Sequence, residues 1–145
     1  MGSEIRHRLR GEEGRMKILK DRMAPRYVRD EGITSYLLAS PITSQAAYLT
    51  TSHVEIEPGG EQRIHRHVPE QVYYMLEGEG MMTVGDERAF VASGDCIFVP
   101  GGERHGIRNE GGALLRYFSA AAPAFDREEL KKLWPLESQA EGETI

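Results

Sequence analysis

Cysteine is nearly absent. Cys96 is the only one in 145 residues, so no intrachain disulfide can staple the fold. A reducing cytoplasm suits such a chain, and Cys96, inside the apolar run Cys96-Ile97-Phe98-Val99, is expected to be a buried small hydrophobe. Long apolar runs are missing too. No stretch approaches the ~18 residues that would cross a bilayer, and the N-terminus is charged where a signal peptide would be apolar, so neither a membrane nor export is expected. Basic charge is also in short supply. A formal charge of −5 and a pI near 5.6 give no general attraction to nucleic acid or to an anionic membrane surface. What charge there is sits unevenly at the ends: residues 1–22 carry seven Lys/Arg against four Asp/Glu, residues 126–145 three against six.

Glycine and turn residues are plentiful. Sixteen Gly and seven Pro punctuate short apolar runs, in a chain with room for one core and not for two ordinary domains. Residues 1–15 show no apolar period and read as an extension outside the fold, 16–125 as a β-barrel, and 126–145 as a short helix with a polar tail. β-favouring runs fall at Tyr36–Ala39, Ala46–Ile56, Val72–Leu76, Met81–Val84, Ala89–Val91, Cys96–Val99 and Leu114–Ser119. Turn signals such as Pro58-Gly59-Gly60, Gly85-Asp86 and Pro100-Gly101-Gly102 separate them. The fold class is therefore all-β, a sandwich or barrel, with one helix at Asp126–Trp134. There Asp126 is the N-cap, Glu129 follows three residues later, and Leu130, Leu133 and Trp134 form a stripe that should pack on the outside of the barrel.

His65 and His67 are spaced i, i+2, which in a strand sends both imidazoles to one face, where they can meet one ion. A helix would separate them by about 200°. Pro69 then bends the chain, and Gln71-Val72-Tyr73-Tyr74-Met75-Leu76 resumes a strand. If Gln71 faces inward with the histidines, so do Tyr73 and Met75, while Tyr74 faces out. His105 follows the Pro100-Gly101-Gly102 turn and can bring a third imidazole from a separate strand. Three nitrogens and one oxygen with open positions suit a catalytic first-row metal. By the same alternation Arg63 would share the face of His65 and offer a cation to an anionic group. Val54 and Ile56 turned inward would bring Ser52, Thr50 and Tyr48 with them and leave His53 on the surface.

These residues carry a family resemblance. Gly59-x5-His65-x-His67-x3-Gln71-x6-Gly78 resembles the first cupin motif, with Gln in place of the usual Glu, and Gly94-x5-Pro100-x-Gly102-x2-His105-x3-Asn109 resembles the second at every fixed position. The fifteen residues between Gly78 and Gly94 match the short spacing of compact microbial cupins. The resemblance implies a double-stranded β-helix, or jelly roll, often assembled as a homodimer. It also implies one divalent transition metal (Zn, Mn, Fe, Ni or Cu) held by His65, His67, His105 and Gln71. Glu70, the harder anionic ligand, is the rival for the fourth position or a hydrogen-bond partner of a ligand imidazole. The Gln set is similar to the His3Gln sites of cupins that act without oxygen. That similarity implies an isomerase or lyase acting on a small oxygen-rich metabolite such as a sugar acid, with Arg63 anchoring an anion and Glu70 or Tyr73 moving a proton. A metal-dependent dioxygenase and a non-catalytic small-molecule binding or sensor module are the alternatives.

Overall fold

The computed structural model describes residues 15–134. The expected extension at 1–15, Arg15 excepted, and the polar tail at 135–145 lie outside the described residues, as does the side chain of Leu133. Ten strands run β1 (Arg26–Arg29), β2 (Ile33–Leu37), β3 (Thr50–Ile56), β4 (Glu61–His65), β5 (Glu70–Glu77), β6 (Glu79–Val84), β7 (Glu87–Ala92), β8 (Cys96–Val99), β9 (His105–Arg108) and β10 (Leu115–Ala122). One helix, α1 (Arg127–Leu133), follows. A six-stranded sheet has the order β1-β2-β3-β10-β5-β8 and a four-stranded sheet the order β4-β9-β6-β7. Every pairing is antiparallel, and the two sheets face each other as a jelly roll.

Period-two patterning builds the core. In β10, Leu115, Tyr117, Ser119 and Ala121 face in, and in β5, Gln71, Tyr73 and Met75 do the same while Tyr74 faces solvent. Of these, Leu115, Tyr117, Tyr73 and Met75 cluster with Ile33, Val54, Ile56, Met82, Val91, Val99 and Ile107 between the sheets. Asn109 is fully buried, donates to the carbonyls of Ile56 and Ala113 (both 2.9 Å) and accepts from Gly111 N–H (3.0 Å). It thereby ties the β9–β10 turn to β3, with every polar atom of its amide used. Gly78 takes φ +83°, and a Cβ there would lie 2.4 Å from the Leu114 carbonyl oxygen, so this crossing of chain segments admits no side chain.

Several expectations change. The sequence reading passed over β1, which is too polar to stand out as a strand, and inferred strands at the histidines only from their spacing, where β4 and β9 now lie. The run beginning at Ala46 becomes a strand only from Thr50. Ser52 and Thr50 are buried as expected, but Tyr48 lies before the strand and is 76% exposed. Cys96 is exposed, because alternation along β8 turns Ile97 and Val99 inward and puts Cys96 and Phe98 on the outer face. His53 is buried rather than on the surface. Its outer face is covered by the stacked ring of Tyr36 (5.4 Å), by Asp21 from the N-terminal segment (3.2 Å to Nδ1) and by Arg116, whose Nε donates to His53 Nε2 (3.2 Å).

The helix starts as its sequence dictates, with the Asp126 carboxylate accepting from Glu129 N–H at 2.7 Å. It does not merely coat the barrel. Leu130, Trp134 and Phe125 bury against Leu37 and Ala121, and Trp134 Nε1 donates to the Ser35 carbonyl (3.2 Å), which brings Phe125 and Trp134 to the wall of the central cavity.

Candidate metal centre

Strand pairing assembles the site. His65 ends β4 and lies directly opposite His105, the first residue of β9, and their ring centroids are 4.3 Å apart. His67 lies just past β4 rather than in it, where the bend at Pro69 brings its ring to 5.3 Å from His65 and 4.8 Å from His105. The three ligand-capable nitrogens lie within 4.8 Å of one another, the one such cluster of His, Cys, Asp or Glu among the described residues.

Each ring is oriented by its own backbone. Nδ1 of His65 meets the Arg63 carbonyl (2.9 Å), Nδ1 of His105 the Glu103 carbonyl (2.9 Å) and Nδ1 of His67 the Pro69 carbonyl (3.0 Å). A carbonyl only accepts, so all three Nδ1 atoms carry the proton, and in the neutral ring that a metal requires each Nε2 presents a lone pair. Nε2 of His105 is buried without any partner. Nε2 of His67 faces Gln71 Oε1 at 3.1 Å, and the Gln71 amide is turned that way because its Nε2 donates to Ser119 Oγ (3.2 Å), itself bonded to Ser52 Oγ (2.9 Å). Converging lone pairs with no proton between them fit a cation, which would satisfy the orphaned His105 nitrogen and remove the repulsion between His67 and Gln71. Burial favours the neutral, ligand-competent form of two of the rings: it lowers the pKa of His65, against the hydrogen bond to Arg63 and with the nearby His67, and brings that of His105 down to about 4.

The cavity above this cluster has a volume of about 300 Å3. Tyr73 and Tyr117, stacked at 4.5 Å, form one wall with Phe125 and Trp134, and Ser52 and Ser119 interrupt it with hydroxyls. Burial pushes both tyrosine hydroxyls up, so they stay protonated. Among the described residues, no carboxylate lines the cavity.

Glu70, considered as ligand or proton carrier, is exposed and not part of the lining. It precedes Gln71 in a regular strand, so its side chain points to the opposite face of the sheet. Arg63 reaches the cavity mouth, but it is 72% exposed and bonded to the Glu31 carboxylate at 3.1 Å. Alternation fails for it because β4 is irregular: Gln62 pairs with Ile107 and His65 with His105, so two residues of β4 oppose the single Gly106. The bulge turns Gln62 and His65 inward together and puts Arg63 outside. Sequence reasoning missed Arg29, Ser119, Phe125 and Trp134. For Arg29 the available signal was the alternation in Arg26-Tyr27-Val28-Arg29, whose inward face is Tyr27 and Arg29.

Comparison with known proteins fits this geometry. Residues 52–120 match the model of the cupin domain. An uncharacterised protein of Methanocaldococcus jannaschii is 30% identical over 122 residues, covering 81% of this chain and 97% of the relative. A predicted oxalate decarboxylase of Thermotoga maritima superposes with a TM-score of 0.66 at 19% identity, over 74% of this chain and 99% of that one. The polyketide cyclase RemF of Streptomyces resistomycificus gives 0.65 at 26% identity, over 74% and 79%. Both motifs, the two-sheet barrel around them and these similarities agree: the chain belongs to the cupin superfamily.

Proposed function

We propose that this cupin holds one divalent transition metal at His65, His67, His105 and Gln71 and acts as a lyase or isomerase on a small oxygen-rich metabolite such as a sugar acid. The observation that carries the reading is the convergence of the three imidazoles and Gln71 Oε1 beside a cavity with no carboxylate among its described lining residues. The bound metal would supply Lewis acidity, and a neutral donor set leaves its charge undiminished for a substrate oxygen. The chain's own residues do the rest. Ser52, Ser119 and Gln71 form a hydrogen-bonded row that fixes the amide; the aromatic wall excludes water; Tyr73, held protonated, is the proton donor on the wall nearest His105, ring to ring 6.0 Å.

With the histidines engaged as metal ligands, the described lining keeps a donor and no carboxylate or free imidazole to act as a base, which favours a lyase. In such a reaction the C–C bond to a carboxylate breaks, carbon dioxide departs, and the bonding electron pair stays on the retained fragment as an enolate; Tyr73 protonates that carbon and its phenolate recovers a proton from water. Similarity to a polyketide cyclase supports chemistry at an enolisable carbon. Tyr74, Leu76 and Phe98, all exposed on the neighbouring strands β5 and β8, support the homodimer expected for the family.

The test is elemental analysis of wild type, His65→Ala, His105→Ala and Gln71→Ala, followed by turnover of uronates and 2-oxo and 3-oxo acids in D2O under nitrogen. The histidine variants should lose the metal and Gln71→Ala should bind it more weakly. Deuterium should enter the product and not the recovered substrate. Metal retained in full by Gln71→Ala would remove Gln71 from the ligand set, and turnover that stops without oxygen would convert the reading to a dioxygenase.

A further inference from the structure

Among the described residues, Arg29 is the cavity-lining arginine without a carboxylate partner, whereas Arg63 is paired with Glu31. It ends β1, the edge strand of the larger sheet, and a tight turn closed by Gly32 N–H on the Arg29 carbonyl (3.2 Å) leads into β2. The side chain crosses to the smaller sheet, where Nη2 donates to Gln62 Oε1 at 2.7 Å, and the guanidinium carbon lies 5.5 Å from the Tyr27 ring centroid. Its Nε is buried and has no partner at all. A donor in that state costs stability unless something supplies an acceptor. The cavity around it offers Tyr73, Tyr117, Ser35 and the histidines, and the field of Arg29 reaches His65, Tyr73 and Tyr117. The bulge that excludes Arg63 is the same feature that delivers Gln62 to brace Arg29.

The geometry points to Arg29 as the anion-recognition residue of the cavity, gripping a carboxylate of a small substrate whose flat, unsaturated body lies along the Tyr73–Tyr117 and Phe125–Trp134 wall. A planar guanidinium already fixed at one nitrogen loses little entropy when it accepts a carboxylate, and a desolvated Arg–carboxylate contact is stronger than one at a rim. The carboxylate it holds is the handle and not the leaving group, because gripping that charge stabilises it where it is. This inference rests on the cavity being the ligand site proposed above, and it is independent of whether the histidines carry a metal.

The experiment compares benzoate with its uncharged isostere benzamide. Both are titrated calorimetrically into wild type, Arg29→Met, Arg29→Lys, Gln62→Ala and Arg63→Gln, each with and without zinc, with zinc content measured on the same samples. Melting curves report folding. Benzoate should bind wild type more tightly than benzamide. Arg29→Met should abolish that preference, a loss of about tenfold or more in benzoate affinity with benzamide unchanged. Arg29→Lys should keep part of it, Gln62→Ala should show an intermediate loss, and Arg63→Gln should stay within about twofold. A preference that survives in folded Arg29→Met, that disappears in Arg63→Gln, or that wild type lacks both with and without zinc overturns the inference. Zinc absent from wild type while the Arg29 dependence persists would overturn the metal centre and leave Arg29 standing.

Discussion

At the scale of single residues, the tyrosine pair makes the cavity wall an alkaline weak point. Tyr73 and Tyr117 are each 2% exposed, and burial raises both phenols above their ordinary value of 10.0. A phenol whose native pKa lies above its unfolded one keeps its proton while the unfolded chain sheds it, so stability is unaffected below pH 10 and falls as pH rises past it. The expected outcome is that phenolate absorbance from these two residues appears only as the barrel unfolds, and that the Tyr73→Phe, Tyr117→Phe double variant unfolds at higher pH. Early, reversible ionisation of both in the native state would contradict this. Residue by residue, the histidines were legible because motif spacing and strand alternation name the same three positions. Arg29 was not: the alternation in Arg26-Tyr27-Val28-Arg29 gives its face, but nothing in four residues far from either motif reveals that the sheet edge folds over the cavity. Glu70 and Gln71 were separable by motif position and strand phase, and the pairing of Gln71 with Val99 and Ala121 puts Gln71 on the inner face.

At the scale of elements, the bulge in β4 decides which side chains see the cavity, and Gly106 is its counterpart. A Cβ on Gly106 would lie 2.7 Å from the Gln62 carbonyl oxygen and 3.0 Å from Ile64 N, both backbone atoms that cannot swing aside. Gly106→Ala should therefore push β4 away from β9, cost about 2 kcal/mol in urea unfolding, and weaken metal binding at least about tenfold, because His65 and His105 sit on the two separated strands. Gly112→Ala, with nothing within 4 Å of its Cβ, is the control and should bind metal as wild type does. A period-two count assumes a regular strand, which is why Arg63 looked inward from the sequence and is not. The helix shows the opposite case. Its cap was readable from Asp126 and Glu129, which are local, while its docking site depended on Leu37, Ala121 and Ser35, contacts that no local pattern contains.

At the scale of the whole molecule, the histidine cluster fastens together segments that are far apart in sequence: the end of β4, the bend after it, the start of β9 and, through Gln71, the larger sheet. An ion bound there joins the two sheets at the closed end of the cavity and is lost on unfolding. Saturating metal should therefore raise the melting temperature by roughly 10 °C, as expected for a ligand at about 1,000 times its Kd on a chain of this size. Differential scanning calorimetry of metal-free and loaded protein checks this, and His105→Ala should show no increment. The lack of any acidic side chain in the described lining has a further consequence. With a divalent ion in the cluster and Arg29 beside it, the described lining adds positive charge and no acidic side chain to balance it, which would draw a counter-ion from solution. The empty state is then one in which acetate, chloride or phosphate already lodges there, and substrate binding becomes an exchange of one anion for another whose apparent strength is set by the buffer it displaces.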